Sequence, residues 1–408
     1  MIVRPPVPWQ RTLFVVALMQ GVMSTSSSLA WPFLPLYVLE LGIHPATQAS
    51  LWAGIIQAPQ FLLAAIMSPL WGSLADRVGR KAMVLRCSAS MAVFTLAMGL
   101  VHDVWQLLAV TICYGVFSGM VGAANALVAV SVPEERLGYA LGWLATAQLT
   151  GTLVGPLLGG LLADALHDYR RVYFVTAAGA FVAILLAFFF VREQHEAPAP
   201  HSDPAQRSQR AFLRNLLSMP QLAPIFVILV LAQLAASALS PVVALYVRSL
   251  IGPGSPWIAT IAGAAIAVTG VAGLLSAPLL GRRSDRLGYR TTLLFSLLGT
   301  ALFTIPQAFA HSIWIFVLLR SGVGVFLAGI APSANAWVGR LTPRDQRGRV
   351  FGVTASASSL GLFFGPLLGG IVAARFGIPA VFVVVGSLML VSFVWALLRT
   401  RADEPGVA

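Results

Sequence analysis

The sequence is short of charge. Of its 408 residues only 10% are charged, where a soluble globular chain carries about 25%. Acids are the scarcer sign, 14 against 26 Lys and Arg. Cysteine is nearly absent: Cys87 and Cys113 are the only two, both lie inside apolar runs, and both read as packing residues rather than a disulfide framework. Catalytic signatures are missing as well. There is no phosphate loop ending in Lys-Ser/Thr, no HExxH, no CxxC and no nucleophile elbow, so no enzyme, no metal and no cofactor is expected, and any ATP-driven motor would have to come from another chain.

What is abundant is apolar surface, 58% of the residues. A water-soluble fold still needs a polar skin and could not hide so much, so the natural solvent is a lipid bilayer. The formal net charge of +12 is dispersed in short basic clusters between apolar runs, which argues for orientation charge and against nucleic acid.

A spanning helix needs about 20 apolar residues. Twelve such runs are expected, near 12–38, 50–71, 82–101, 104–128, 138–163 and 172–191, then 223–247, 257–280, 291–310, 313–338, 349–374 and 378–398. The first starts near Leu13, outruns the core of a secretory signal and shows no cleavage site. Residues 192–221 form the only long polar stretch, expected as a cytoplasmic linker with a short surface helix around Gln209–Ser218. It divides a six-helix half, 1–191, from a second, 222–408. With the N-terminus inside, 21 of the 26 basic residues fall on the cytoplasmic side, which places both termini there and requires an even number of spans.

The halves are one unit written twice. Gly72-Ser-Leu-Ala-Asp76-Arg77-Val-Gly79-Arg80-Lys81 returns 209 residues later as Gly281-Arg-Arg-Ser-Asp285-Arg286-Leu-Gly288-Tyr-Arg290. Pro32 and Tyr37 return as Pro241 and Tyr246, Gly54 as Gly263, and Pro69 as Pro278. Beyond one inserted residue the offset is 210, and Gly151-Thr-Leu-Val-Gly155-Pro156-Leu-Leu-Gly159-Gly160 returns as Gly361-Leu-Phe-Phe-Gly365-Pro366-Leu-Leu-Gly369-Gly370. Six spans per copy make the repeats parallel, related by an axis along the membrane normal, as in transporter architectures.

Physically, Gly72 can let helices approach and Gly79 permits a turn that a Cβ would strain. Asp76 can face the positive end of a helix, while Arg77, Arg80 and Lys81 can reach helix-end carbonyls or lipid phosphates. Topology charge alone would need neither glycine nor a fixed acid. The second copy has Tyr289 in place of Arg80, which weakens the role of Asp285 and Arg286. The blocks Gly151–Gly160 and Gly361–Gly370 sit inside helices, where each glycine costs about 1 kcal/mol against alanine and Pro156 and Pro366 each remove a backbone donor. Close helix packing or a gating interface accounts for such a cost, and gating is favoured.

The G-x-x-x-D-R-x-G-R-K pattern and the long glycine block resemble the signatures of the major facilitator superfamily, and among its branches the twelve-helix drug:proton antiporters. The likeness covers nearly the whole chain. It implies an all-α membrane fold of two six-helix bundles related by pseudo-twofold symmetry, the Gly72–Lys81 segment latching the halves on the cytoplasmic side, and Gly151, Gly155, Pro156, Gly361, Gly365 and Pro366 at the interface between them. It also implies a multi-pass monomer in the bacterial inner membrane that exchanges drug-like or amphipathic small molecules for protons.

One departure stands out. Many antiporters of that branch carry Arg in the fourth helix; here that position is Thr111, and Arg320 stands at its repeat mate instead. Arg320 is the one charge placed within the hydrocarbon, either a substrate or coupling contact or a residue satisfied by snorkelling or a helix carbonyl. No Asp or Glu lies at a span centre, so proton coupling falls to Glu40, at the outer end of the first span, with Arg320. The remaining mid-depth polar and aromatic groups suit a cavity for amphipathic ligands: Gln20, Ser24, Trp31, Gln57, Gln60, Tyr114, Gln148, Gln233, Phe326 and Ser356. The expected function is drug efflux. Lipid or lysophospholipid transport, uncoupled facilitation and a non-transporting receptor are the alternatives.

Overall fold

The structure, a computed structural model, describes residues 9–191, 222–342 and 347–399. The 192–221 linker with its expected surface helix lies outside the described residues, as do the side chains of Asp76 and Asp285.

The described residues form helices and turns, with no strand. α1 (Trp9–Ala30) and α2 (Leu34–Glu40) make one interrupted span, followed by α3 (Ala46–Val78) and α4 (Arg80–Leu100). α5 (Val104–Phe117) and α6 (Met120–Ser131) share the next span, and α7 (Leu137–Leu166) and α8 (Tyr169–Phe190) complete the series. The second series runs α9 (Leu222–Ala238), α10 (Val243–Ile251), α11 (Ile258–Leu287), α12 (Tyr289–Thr304), α13 (Ile313–Leu341), α14 (Arg347–Phe376) and α15 (Ile378–Arg399). Twelve spans among the described residues are long and apolar enough to cross a bilayer, from Trp9–Glu40 to Ile378–Arg399. Lipid offers the backbone no hydrogen bonds, so each apolar run satisfies its own as a helix.

The described residues gather into two compact units. One holds those of Met1–Gly42, Pro59–Pro200 and Ala259–Gly263; the other holds those of Ile43–Ala58, His201–Ile258 and Ala264–Ala408. The start of α3 therefore belongs to the second unit and the first turn of α11 to the first.

The duplication read in the sequence recurs pair by pair inside the units. In the first, Tyr37 donates its hydroxyl to Met98 O at 2.9 Å and packs on Tyr173, ring centres 5.0 Å apart. In the second, Tyr246 donates to Gln307 O at 2.6 Å and packs on Phe382 at 4.8 Å, every partner displaced by 209. Phe94 and Phe117 lie 5.9 Å apart with 24° between ring planes, and their mates Phe303 and Phe326 lie 5.6 Å apart at the same angle. Lys81 Nζ donates to Phe188 O and Arg290 Nη2 to Leu397 O, both at 3.0 Å. A cation at the end of each sixth span thus meets helix-terminal carbonyls, where the dipole favours positive charge.

The first and seventh spans, expected as single runs over 12–38 and 223–247, break at Trp31–Phe33 and after Ala238, and two further features depart from the sequence expectation. The fourth span, expected as one helix over 104–128, is broken at Ser118-Gly119, where Gly119 adopts φ 122°. Trp71 Nε1 donates to Val116 O at 2.7 Å, and the Arg86 guanidinium lies 3.7 Å over the Trp71 ring with Nη2 reaching Ser118 O at 3.5 Å. The freed carbonyls thereby keep partners. The repeat mates of Trp71 and Arg86 are Leu280 and Phe295, which have no such donors, and α13 runs unbroken. Second, Cys113 is exposed on α5 rather than packed, while Cys87 is buried as expected; both thiols are free.

Candidate gating and substrate-contacting residues

The glycine blocks are packing surfaces first. A Cβ on Gly151 would meet Ser24 Cβ and Thr25 N at 2.6 Å, one on Gly155 would run into Ser28, and one on Gly159 into the backbone of Leu29. Glycine at every fourth position thus lets α7 lie directly on α1. The second block repeats this: Gly361 faces Gln233 and Leu234, Gly365 faces Ser237, and Gly369 faces Ala238, so α14 lies on α9. Ser237 Oγ also donates to Gly361 O at 3.0 Å.

Each block has a second contact face. Gly160 abuts the backbone of Ala259 and Thr260, and Pro156 O abuts Gly263. In the other unit Gly370 abuts Ser50 and Leu51, and Pro366 O abuts Gly54. All four approaches are backbone to backbone, and the two sets are repeat mates. Gly54 and Gly263, read from the sequence only as a repeat pair, belong with Pro156 and Pro366 as gating candidates. Nothing in the linear chain ties either glycine to a proline more than 100 residues away.

The Gly72–Lys81 segment is not a loop. α3 continues through Gly72, Asp76 and Arg77 to Val78, and only Gly79, at φ 101°, separates it from α4; Gly288, at φ 88°, does the same between α11 and α12. An L-residue resists that backbone region, which is why glycine stands at both turns. Nothing lies within 4 Å of where a Cβ on Gly72 would sit, so the close approach expected there is absent from this conformation. Arg77 and Arg286 are exposed, Arg80 is half-buried, and Lys81 is engaged at Phe188 O. A groove of about 270 Å³ follows the C-terminal end of α3, lined by Met67, Leu70, Trp71, Ser73, Leu74 and Arg77. None of the polar residues expected to line a cavity takes part in it.

Arg320 is 7% exposed, and its Nε has no hydrogen-bond partner among the described residues. It shares the buried face of α13 with Phe316, which packs on Tyr246 and Phe382, and with Gly324, which lies against the backbone of Thr269. Its mate Thr111 is fully buried and closes its hydroxyl on Leu107 O at 2.8 Å. One repeat therefore satisfies the position locally, and the other leaves a guanidinium nitrogen open.

The rest of the expected cavity set divides by surroundings. Gln20 and Ser24 are buried on α1, where Gln20 Nε2 donates to Ser24 Oγ at 3.5 Å and Gln20 Oε1 has no partner among the described residues. Trp31 stacks on Tyr114 at 6.4 Å. Gln57 and Gln60 each keep one amide atom without a partner among the described residues. Gln148 and Gln233 are half-buried, Ser356 is exposed and bonded to Gly352 O at 3.1 Å, and Phe326 is engaged with Phe295 and Phe303. Glu40 ends α2 and accepts the Tyr169 backbone N–H at 3.4 Å, so it ties α2 to the first turn of α8. It sits at a span end, not in the middle.

Asp164 belongs to no motif of the sequence. Near the end of α7, its carboxylate accepts the backbone N–H groups of Ala259, at 3.1 Å, and Thr260, at 2.7 Å. The available signal was an acid one residue beyond an apolar run otherwise free of charge.

A family model described as Major Facilitator Superfamily matches residues 16–259 and 225–408. The chain is 38% identical over 401 residues to the multidrug resistance protein MdtG of Dickeya zeae (strain Ech586), spanning 98% of this chain and 97% of that one. It is 38% identical over 398 residues to MdtG of Salmonella typhimurium, spanning 97% of each. A crystal structure of a bacterial homologue of the human lysosomal transporter Spinster superposes with TM-score 0.80 at 14% identity, covering 96% of this chain and 97% of that one. The nucleoside transporter NupG superposes with TM-score 0.78 at 13% identity, covering 97% and 100%. At such identities these two structures speak to the fold alone.

Proposed function

The chain belongs to the major facilitator superfamily, and from that premise we propose that it exports drugs or amphipathic small molecules across the bacterial inner membrane by alternating access. The observation that carries this reading is the mirrored pair of backbone contacts, Pro156 with Gly263 and Pro366 with Gly54. Two matched glycine-proline helices, each with one face committed to its neighbour and a second on a single turn of another helix, suit halves that pivot while their own packing stays intact. Residues 1–191 and 222–408 are the pivoting halves, joined through 192–221, with both termini in the cytoplasm and the chain acting as a monomer. The MdtG relatives support multidrug compounds as the substrate class.

Arg320, with its unpartnered nitrogen, is the strongest candidate for a polar substrate contact, and Gln20, Gln57 and Gln60 have open hydrogen-bonding capacity for varied ligands. Asp76, with Arg77, Arg80 and Lys81, latches the cytoplasmic side when the outer side opens. Exchange against protons is the driving step we favour, with Glu40, at the end of α2, as its carboxylate. A second reading is uncoupled or lipid transport on the same scaffold. It gains support from the lack of any acid at a span centre.

The test is reconstitution in proteoliposomes together with a resistance panel in a pump-deficient bacterium. Efflux should collapse with a protonophore and should be impaired in Asp76→Asn at unchanged protein level. Efflux that ignores the protonophore removes the antiport step; absence of transport for every compound removes the efflux reading itself.

A further inference from the structure

Asp164 stands where helix electrostatics disfavour it. It lies two residues before the end of α7 at Leu166, and the C-terminal end of a helix repels negative charge. Its two oxygens instead meet the N–H groups of Ala259 and Thr260. These are the second and third residues of α11, whose N-cap residue is Trp257. A cap side chain ordinarily accepts from those donors; the Trp257 indole cannot, and Asp164 supplies the acceptor from 95 residues away. Charge and hydrogen bonding act together here, since an anion at a helix N-terminus is favoured on both counts.

The contact exists in one repeat only. At the local offset of 210 the mate of Asp164 is Ala374, and at 209 the mates of Ala259 and Thr260 are Ser50 and Leu51. α3 begins at Ala46, so Ser50 and Leu51 are its fifth and sixth residues and their N–H groups are already inside the helical ladder. An acid at position 374 would find no open donor on that turn. The acid occurs where a helix start is bare, and alanine occurs where it is not. Around Asp164 the packing leaves no room for a side chain at Gly160, against Ala259, or at Gly263, against Pro156.

We propose that Asp164 is a positioning residue of the transport cycle: a one-sided carboxylate latch that holds the first turn of α11 on α7 and must let go for the outer ends of those helices to part. The proposal rests on the alternating-access reading for its place in a cycle, but the latch is a property of the folded protein in any case. Parting strands two helix-start donors that α11 cannot satisfy with its own cap. Opening at α3 and α14 strands none. The outward-opening equilibrium is thus set more by α7 and α11 than by their repeat mates.

Spin labels on the exposed positions Ala165 and Pro253, introduced as Ala165→Cys and Pro253→Cys with Cys87 and Cys113 replaced by alanine, report the separation in full-length protein in nanodiscs. Asp164→Ala should raise the ratio of long to short distances about five- to thirty-fold, the change expected on losing a charge-assisted cap. Asp164→Asn keeps one acceptor and should give a smaller rise. Thr260→Pro removes one donor at a helix position that tolerates proline and should act in the same direction with Asp164 intact. Distance distributions unchanged in both Asp164→Ala and Thr260→Pro overturn the latch. Because the readout is a distance, failure of the efflux reading, seen as absent transport, is separately visible.

Discussion

A Cβ on Gly263 would run into the backbone carbonyl of Pro156, so the site leaves no room for a side chain. Proline makes that site peculiar twice over. It takes one donor out of α7, and its own carbonyl is the atom that the neighbouring helix must approach. The mate pair, Gly54 and Pro366, meets in the same way.

Gly263→Val is therefore expected to separate α7 from the start of α11. Overpacking of this kind costs about 1–3 kcal/mol, and it falls on the packed arrangement only. Efflux by Gly263→Val should drop at least about fivefold while the protein remains folded by size-exclusion chromatography, and Gly54→Val should behave alike. Wild-type transport in both variants would show that these approaches are dispensable.

Arg320→Met should separate stability from function. A buried guanidinium with an open nitrogen on an apolar helix face is a standing cost, and an apolar side chain of similar length removes it. The purified variant should melt higher than the parent, while efflux of polar or anionic compounds falls and that of apolar ones is kept. A lower melting temperature would mean that Arg320 is satisfied and structural.

Tyr37→Phe is expected to cost more than Tyr246→Phe. The Tyr37 hydroxyl donates to Met98 O and also meets the Arg170 side chain, whereas the single Tyr246 proton is shared between Gln307 O and Ala310 O, the latter at 3.2 Å. Removing one neutral hydrogen bond in a membrane protein costs about 0.6 kcal/mol on average and at most about 1.7. Thermal unfolding in detergent should rank the two variants in that order.

Gly119→Ala tests the broken fourth span. At φ 122° a Cβ is strained, so the substitution should destabilise by roughly 1–2 kcal/mol. Its mate Gly329 lies in the unbroken α13, where a Cβ would meet Ser296 Oγ instead. Equal effects of Gly119→Ala and Gly329→Ala on melting, with Gly329→Ala rescued by Ser296→Ala, would leave no special role for the break.

Much of the architecture was legible because lipid imposes simple rules. A run of apolar residues long enough to cross can only be a helix, and the pairing of Tyr37 with Tyr246 or Pro156 with Pro366 survives as a constant spacing. The interruptions near Pro32 and Pro241 were not legible: both runs are expected to be continuous, and proline alone does not mark a break, since Pro69 and Pro156 sit inside unbroken helices. Gly119 was no more legible, because one glycine in an apolar run is indistinguishable from a packing glycine until Trp71 and Arg86 are seen taking the carbonyls around it. The same holds for Asp164 and Arg320: a charge at a given depth can be counted in the chain, but its partner cannot.

The linear chain by itself determined twelve membrane-crossing helices, their duplication and the sites of the glycine blocks, because hydropathy and spacing are properties of neighbours along the backbone. Only the tertiary structure decided that α7 lies on α1 and α14 on α9, that Gly72 faces open space, that Asp164 caps a helix through Ala259, 95 residues later, and that Arg320 Nε has no partner among the described residues. Those depend on which helix faces meet, and helix-to-helix contact is settled by shape and by unsatisfied polar groups far apart in sequence.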